Sequence, residues 1–120
     1  MDEHKIWSFN GESVEIDFYD VETLERFENA TIKLAEEQSK EYSGKASETV
    51  KQKCEEYFEY FNSVIGDDKA AVRLFNGKMN LSVCVDAYYA LNEFMAAQIT
   101  AENERVQKLK EKYSKKRIKK

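Results

Sequence analysis

The run Leu81-Ser82-Val83-Cys84-Val85-Asp86-Ala87-Tyr88-Tyr89-Ala90-Leu91-Asn92-Glu93-Phe94-Met95-Ala96-Ala97 holds 13 apolar residues in 17, spread around the whole circumference of a helix. A helix apolar on every side belongs in the middle of a core. From Gln98 onward the apolar positions thin to Ile99, Val106, Leu109 and Tyr113, and then comes Lys115-Lys116-Arg117-Ile118-Lys119-Lys120. One element therefore begins buried and finishes as a narrow stripe with a basic end, the pattern of a helix that reaches from a small domain toward a partner. Over 81–112 such a helix is roughly 48 Å long at about 1.5 Å per residue. A compact domain of this length has a radius of gyration near ~13–14 Å, so the helix must project or bend. A heptad laid on it puts Leu81, Val85, Tyr88, Asn92, Met95, Ile99, Glu102, Val106, Leu109 and Tyr113 at a and d, eight of the ten apolar. That spacing suits a helix–helix seam, and it equally suits an amphipathic helix lying on its own domain.

Working back from Leu81, each boundary carries a local signal. Asn80 is placed to cap the long helix, and Asn76-Gly77 stops a short one over 69–75 that Asp67-Asp68 can cap. Gly66 is the expected left-handed stop of a preceding helix with Val50, Cys54, Tyr57, Phe58, Phe61, Val64 and Ile65 at helical spacing and Ser47 as its cap. Tyr42-Ser43-Gly44-Lys45 links it to a first helix capped by Asp20, which carries Leu24, Phe27, Ala30, Thr31, Leu34, Ala35 and Gln38 and fades near Glu41. At the N-terminal side, 6–9 and 13–18 flank Asn10-Gly11, which supplies the positive φ angles of a tight hairpin turn. Val14, Ile16 and Phe18 alternate with Ser13, Glu15 and Asp17 on the second strand, and Trp7 and Phe9 share a face of the first. The expected fold class is α+β, mostly helical: an N-terminal β-hairpin (6–18), then about four helices, the last one long. The expected organisation is a single helical domain over 1–112 with a basic C-terminal tail over 113–120.

A chain of 120 residues with 42% hydrophobic and 35% charged residues is expected to be one folded domain. No apolar run is long and charge-free enough to span a bilayer, and no signal-peptide core follows Met1-Asp2-Glu3-His4-Lys5, so the expectation is a cytoplasmic protein with no membrane contact. The net charge of −4 conceals an asymmetry: residues 1–107 sum to −11 and residues 108–120 to +7. An acidic body repels nucleic acid while a basic end attracts it. Such an end is a solubilising tail, or it docks on an acidic surface, another copy of the chain included. Cys54 and Cys84 each fall in an apolar helical pattern and read as buried thiols.

No catalytic constellation is legible. His4 is the single histidine and stands near the terminus. No Cys-x-x-Cys, His-Glu-x-x-His, calcium loop or glycine-rich phosphate loop occurs, so no catalytic, metal or cofactor residues are assigned and no enzyme is expected. Glu36-Glu37 and Glu55-Glu56 read as solvated helix faces. Tyr57 and Tyr60 flank the core line of their helix, and either pack inside or form a tyrosine patch for a protein partner. The candidate partner-binding residues are Tyr57, Tyr60, Ile99, Val106, Leu109, Tyr113, Lys115, Lys116 and Arg117.

Phe9-Asn10-Gly11, Val14-Glu15-Ile16-Asp17-Phe18-Tyr19-Asp20 and Thr23-Leu24-Glu25-Arg26-Phe27 together resemble small tail-module proteins of siphophages and prophages of Gram-positive bacteria. So do Leu74-Phe75-Asn76-Gly77-Lys78-Met79-Asn80-Leu81, Cys84, Ala87-Tyr88, and Tyr113-Ser114 with Arg117. In size and layout the chain is similar to tail assembly chaperones. Members of that group carry a proline after the terminal Tyr-Ser, where Lys115 stands here. The resemblance implies a non-catalytic virion assembly factor in the host cytoplasm. It would bind the tape-measure protein or tail-tube subunits, with a homo-oligomer also open. The competing expectation is a small nucleic-acid-binding regulator that uses the basic end.

Overall fold

A computed structural model describes residues 3–42 and 44–118. A single 3-10 turn, Glu3–Lys5, leads into β1 (Ile6–Phe9) and β2 (Glu12–Glu15), then α1 (Val21–Gln38), α2 (Ala46–Ile65), α3 (Ala70–Leu74) and α4 (Leu81–Ile118). The fold is the α+β, mostly helical one that the sequence implies. β1 and β2 pair antiparallel with Trp7 opposite Val14 and Phe9 opposite Glu12. Asn10 and Gly11 both take positive φ in the turn, as a type I′ connection requires. The turn is pinned to the helices, because Asn10 Nδ2 donates to Leu74 O at 2.8 Å.

The caps show how local chemistry sets most boundaries. Asp20 Oδ2 accepts from Thr23 N at the start of α1, and Asn80 Oδ1 accepts from Val83 N at the start of α4. Gly66 closes α2 at φ 77, where an added Cβ would press on the Arg26 guanidinium, itself donating to Val64 O. Several boundaries differ from expectation: α3 is capped by Lys69 without a side-chain bond rather than by Asp67-Asp68. β2 stops at Glu15 rather than reaching residue 18. Beyond it the ladder gives way to two other contacts: Ile16 N donates to Lys5 O, and Phe18 N donates to the side chain of Gln98. Ser47 lies inside the first turn of α2, whose N-cap is Lys45 and has no side-chain cap bond. The last helix does not stop at residue 112 but continues to Ile118, so the boundary expected at 112/113 falls within a helix. Its final turns contain no Gly or Pro and are rich in Lys, Glu, Gln, Arg and Leu, good helix formers all.

The core lies where the hairpin, α2, α3 and the first half of α4 meet. Phe61, Leu74, Leu91, Val64, Cys54 and Cys84 are its largest fully buried side chains. Trp7 stacks on Phe61 at 6.0 Å between centroids, and Phe58 stacks on Phe75 at 5.1 Å. The expectation that the first half of α4 is buried on every side is corrected. Cys84, Ala87, Leu91 and Gln98 are buried, but Tyr89, Ala96 and Ala97 face solvent. α4 lies along one side of the core, because among the described residues no element covers its outer face.

Gln98 ties the hairpin to α4. Its Nε2 donates to His4 O (2.8 Å) and Ile16 O (2.9 Å), and its Oε1 accepts from Phe18 N (2.7 Å). One buried amide thus serves three backbone groups that have left the β-ladder, groups that burial would otherwise leave without partners. Ala101 and Glu102 are still half-buried, and from Asn103 to Ser114 every residue of α4 is exposed. The molecule measures 73 × 29 × 21 Å, with a radius of gyration of 18.5 Å. Among the described residues no helix is long and apolar enough to cross a membrane.

Candidate interaction surface

An α-helix returns to the same azimuth after about eighteen residues, or five turns. Ile99, Val106, Leu109 and Tyr113 therefore stand on the lines of Leu81, Tyr88, Leu91 and Met95. The first set continues the face that the second set turns toward the body. Leu91 is fully buried, whereas Leu109 is 40% exposed and Tyr113 57%. Ile99 and Val106 are exposed as well. The apolar face of α4 thus runs on, exposed, from Ile99 to Tyr113 for about 21 Å at about 1.5 Å per residue.

At the root of this stripe lies an apolar hollow of about 290 Å³, lined by Phe18, Tyr19, Val21, Leu24, Met95 and Ile99. Phe18 forms its buried floor, held against Phe27 (5.2 Å, edge-on) and Phe94. Tyr19, Val21 and Leu24 at the start of α1 are exposed. Glu25 and Glu28, also exposed, follow Val21 and Leu24 by one helical turn and so share that wall. On the stripe itself only Glu102 interrupts the apolar line, and it is paired with Arg105.

The candidate residues divide sharply. Ile99, Val106, Leu109 and Tyr113 come together as one exposed line. Tyr57 and Tyr60 do not belong to it, and the tyrosine patch is corrected to core: they are 8% and 3% exposed. Tyr88 of α4 packs against both rings, at 6.0 and 5.4 Å, and so closes the flank that the helical pattern left open. Burial pushes the Tyr60 phenol up to about 12, with the Thr31 hydroxyl acting in the opposite sense. Lys115, Lys116 and Arg117 continue α4, and their side chains, like Lys119 and Lys120, lie outside the described residues. Lys108, Lys110 and Lys112 are exposed on the preceding turns.

Two polar positions are more important than their sequence context shows. Gln98 follows an apolar run and reads as its end, yet it is the buried clamp described above. Glu56, expected on a solvated face beside Glu55, is buried. Tyr42 Oη donates to Glu56 Oε2, and Gln38 Nε2 donates to Oε1 at 3.2 Å, so the link after α1 folds over α2 to satisfy this carboxylate. That hydrogen bond, with some burial, pushes the Tyr42 phenol up to about 12. Burial and the neighbouring carboxylates Glu56 and Glu59 raise Glu37 as well. A carboxylate held by two donors in this way fastens α1 to α2. The hollow at the root of α4 was legible only in part: Leu24 and Met95 were placed on helix faces, but Tyr19 and Val21 carried no signal of their own.

Cys54 on α2 and Cys84 on α4 are free thiols, both fully buried. Burial, then the neighbouring Cys54, pushes the Cys84 thiol up to about 12, the opposite of what a nucleophilic thiol requires. Among the described residues no group of three or more His, Cys, Asp or Glu side chains is placed to hold a metal ion.

A family model described as a family of unknown function (DUF6673) matches residues 10–120, and the chain belongs to that family. No curated protein and no solved structure matches the chain.

Proposed function

We propose that this member of a family of unknown function is a non-catalytic assembly factor, similar to the tail assembly chaperones of siphophages and prophages. It would hold a tape-measure or tail-tube protein in the cytoplasm of a bacterial host until the tube polymerises. One observation carries the binding part of this reading: Ile99, Val106, Leu109 and Tyr113 form an exposed continuation of a face that is otherwise core. An amphipathic helix face of this kind is recognised by another apolar helix face or groove. A tape-measure protein, long and helical with apolar stripes, offers such a face. The phage context rests on the sequence resemblance.

The test is co-expression with the tape-measure protein, and separately the tube subunit, of a siphophage tail module. The intact chain is expected to co-purify with one of them. Ile99→Asp combined with Leu109→Asp should abolish that while leaving the far-UV circular dichroism and melting unchanged when both chains are compared dilute enough to be monomeric, because both side chains are exposed. Retention of the tail protein by the double variant would remove the stripe from the reading. Failure of the intact chain to retain either protein would remove the assembly role itself. The nucleic-acid alternative draws on exposed Lys108, Lys110 and Lys112 at the same end of α4. It requires strongly salt-dependent DNA or RNA binding that is lost when 114–120 are deleted.

A further inference from the structure

We infer that, in the absence of a tail protein, the occupant of the α4 stripe is α4 of a second copy of this chain, running antiparallel with the two-fold axis passing between Glu102 and Val106, level with residue 104. This rests on the reading of the stripe as a binding face and adds the identity of its resting partner.

The stripe is self-complementary in one direction only. It has two apolar centres, the hollow at Met95 and Ile99 and the tip at Leu109 and Tyr113. Reversing one helix about residue 104 sets Met95 against Tyr113 and Ile99 against Leu109, and the symmetry repeats both pairs. Each tip then enters the other copy's hollow, whose volume of about 290 Å³ has room for a leucine or tyrosine side chain. A two-fold pairing of this kind is isologous and closes at two copies. In a parallel pair, hollow would face hollow and tip would face tip, leaving both hollows unfilled.

Charge selects the same direction. Lys108, Lys110 and Lys112 accompany the tip, and residues 108–120 sum to +7. Exposed Glu25 and Glu28 stand one helical turn beyond Val21 and Leu24 of the hollow, on a body that sums to −11 over residues 1–107. The antiparallel arrangement brings basic tip to acidic wall, whereas a parallel one stacks the two basic ends, which like-charge repulsion disfavours. Glu102, the single break in the stripe, meets Val106 of the second copy in this register. Arg105 of that copy lies one position away, so the pair that Glu102 and Arg105 form within one helix is repeated across the seam.

The test begins with the mass of the intact chain by light scattering, expected at twice the 14.0 kDa chain mass and falling to a monomer with Leu109→Asp. Register is then read by mixing two single variants, Ala96→Cys and Lys110→Cys, under mild oxidation. Both positions are exposed, and the stripe stays intact. The native cysteines are fully buried, so the wild-type chain serves as the uncross-linked control. A mixed 96–110 disulfide as the main product supports the inference. A monomer at every concentration overturns it, as does a preference for 96–96 and 110–110 disulfides, the mark of a parallel pair. A monomer that still carries a tail protein would overturn this inference and leave the assembly role standing. An antiparallel dimer that binds no tail protein would do the reverse.

Discussion

Leu91 and Leu109 occupy the same azimuth of one helix, five turns apart; the first is fully buried and the second is 40% exposed. Up to Gln98 that face is covered by the hairpin and α2, and its aromatic neighbours close around it: Tyr57 and Tyr60 against Tyr88, Phe18 against Phe94. Past Gln98 the same face continues with the same period, but Ile99, Val106, Leu109 and Tyr113 on it are exposed. The contrast teaches that one sequence pattern serves two purposes. An apolar stripe becomes core where other elements arrive and stays exposed where they do not.

The largest effect that tests this contrast comes from truncating its two leucines. Leu91→Ala is expected to cost about 2–5 kcal/mol of folding stability, the range for a fully buried leucine. Leu109→Ala should stay within about 0.5 kcal/mol when urea unfolding is measured on chains dilute enough to be apart. Equal costs at the two positions would mean that the tip is covered by its own body after all. Next comes the boundary between the two halves. Gln98→Leu keeps the bulk but strands Phe18 N, Ile16 O and His4 O, at an expected cost of about 2–3 kcal/mol. Hydrogen exchange at the Phe18 amide should rise well before the amides of α2 open. If it stayed protected, the hairpin would be held by its aromatic packing rather than by this amide.

A further test is one of pH, and it belongs to the covered half. Tyr60 and Cys84 in the core, and Tyr42 over α2, are all pushed up to about 12 from ordinary values of 10.0, 9.0 and 10.0. Each keeps its proton in the folded chain at pH values where the unfolded chain has lost it. Their contribution is therefore fully present below the unfolded values and is lost as pH rises toward about 12. The urea midpoint should fall progressively from about pH 9 upward, and Tyr42→Phe should flatten part of that slope. A midpoint level throughout this window would show that these groups titrate alike in both states.

Much of the fold was legible because its signals are local. Asn10-Gly11 forced a tight turn, Asp20 and Asn80 supplied caps, and Gly66 supplied a left-handed stop, each through chemistry that spans only a few residues. The stripe over 99–113 was legible for the same reason, since a period of about 3.6 can be counted along the chain. What could not be counted was which side meets a distant element. Glu55 and Glu56 are neighbours in sequence, yet only Glu56 turns inward to Tyr42 and Gln38. Tyr57 and Tyr60 look like surface candidates until Tyr88 arrives to cover them.

The chain's pattern alone was enough for the order of elements, the caps at Asp20, Gly66 and Asn80, the buried thiols and the apolar line that outlasts the domain. All of these depend on backbone preferences and periodicity over a few turns. Packing in three dimensions was needed to convert Tyr57, Tyr60 and Glu56 from surface to interior. It also made Gln98 a clamp for backbone groups 80 or more residues away, and left the outer face of α4 open while building the hollow at its root. Burial and hydrogen-bond satisfaction are properties of what surrounds a side chain, and those surroundings come from parts of the chain that no local window contains.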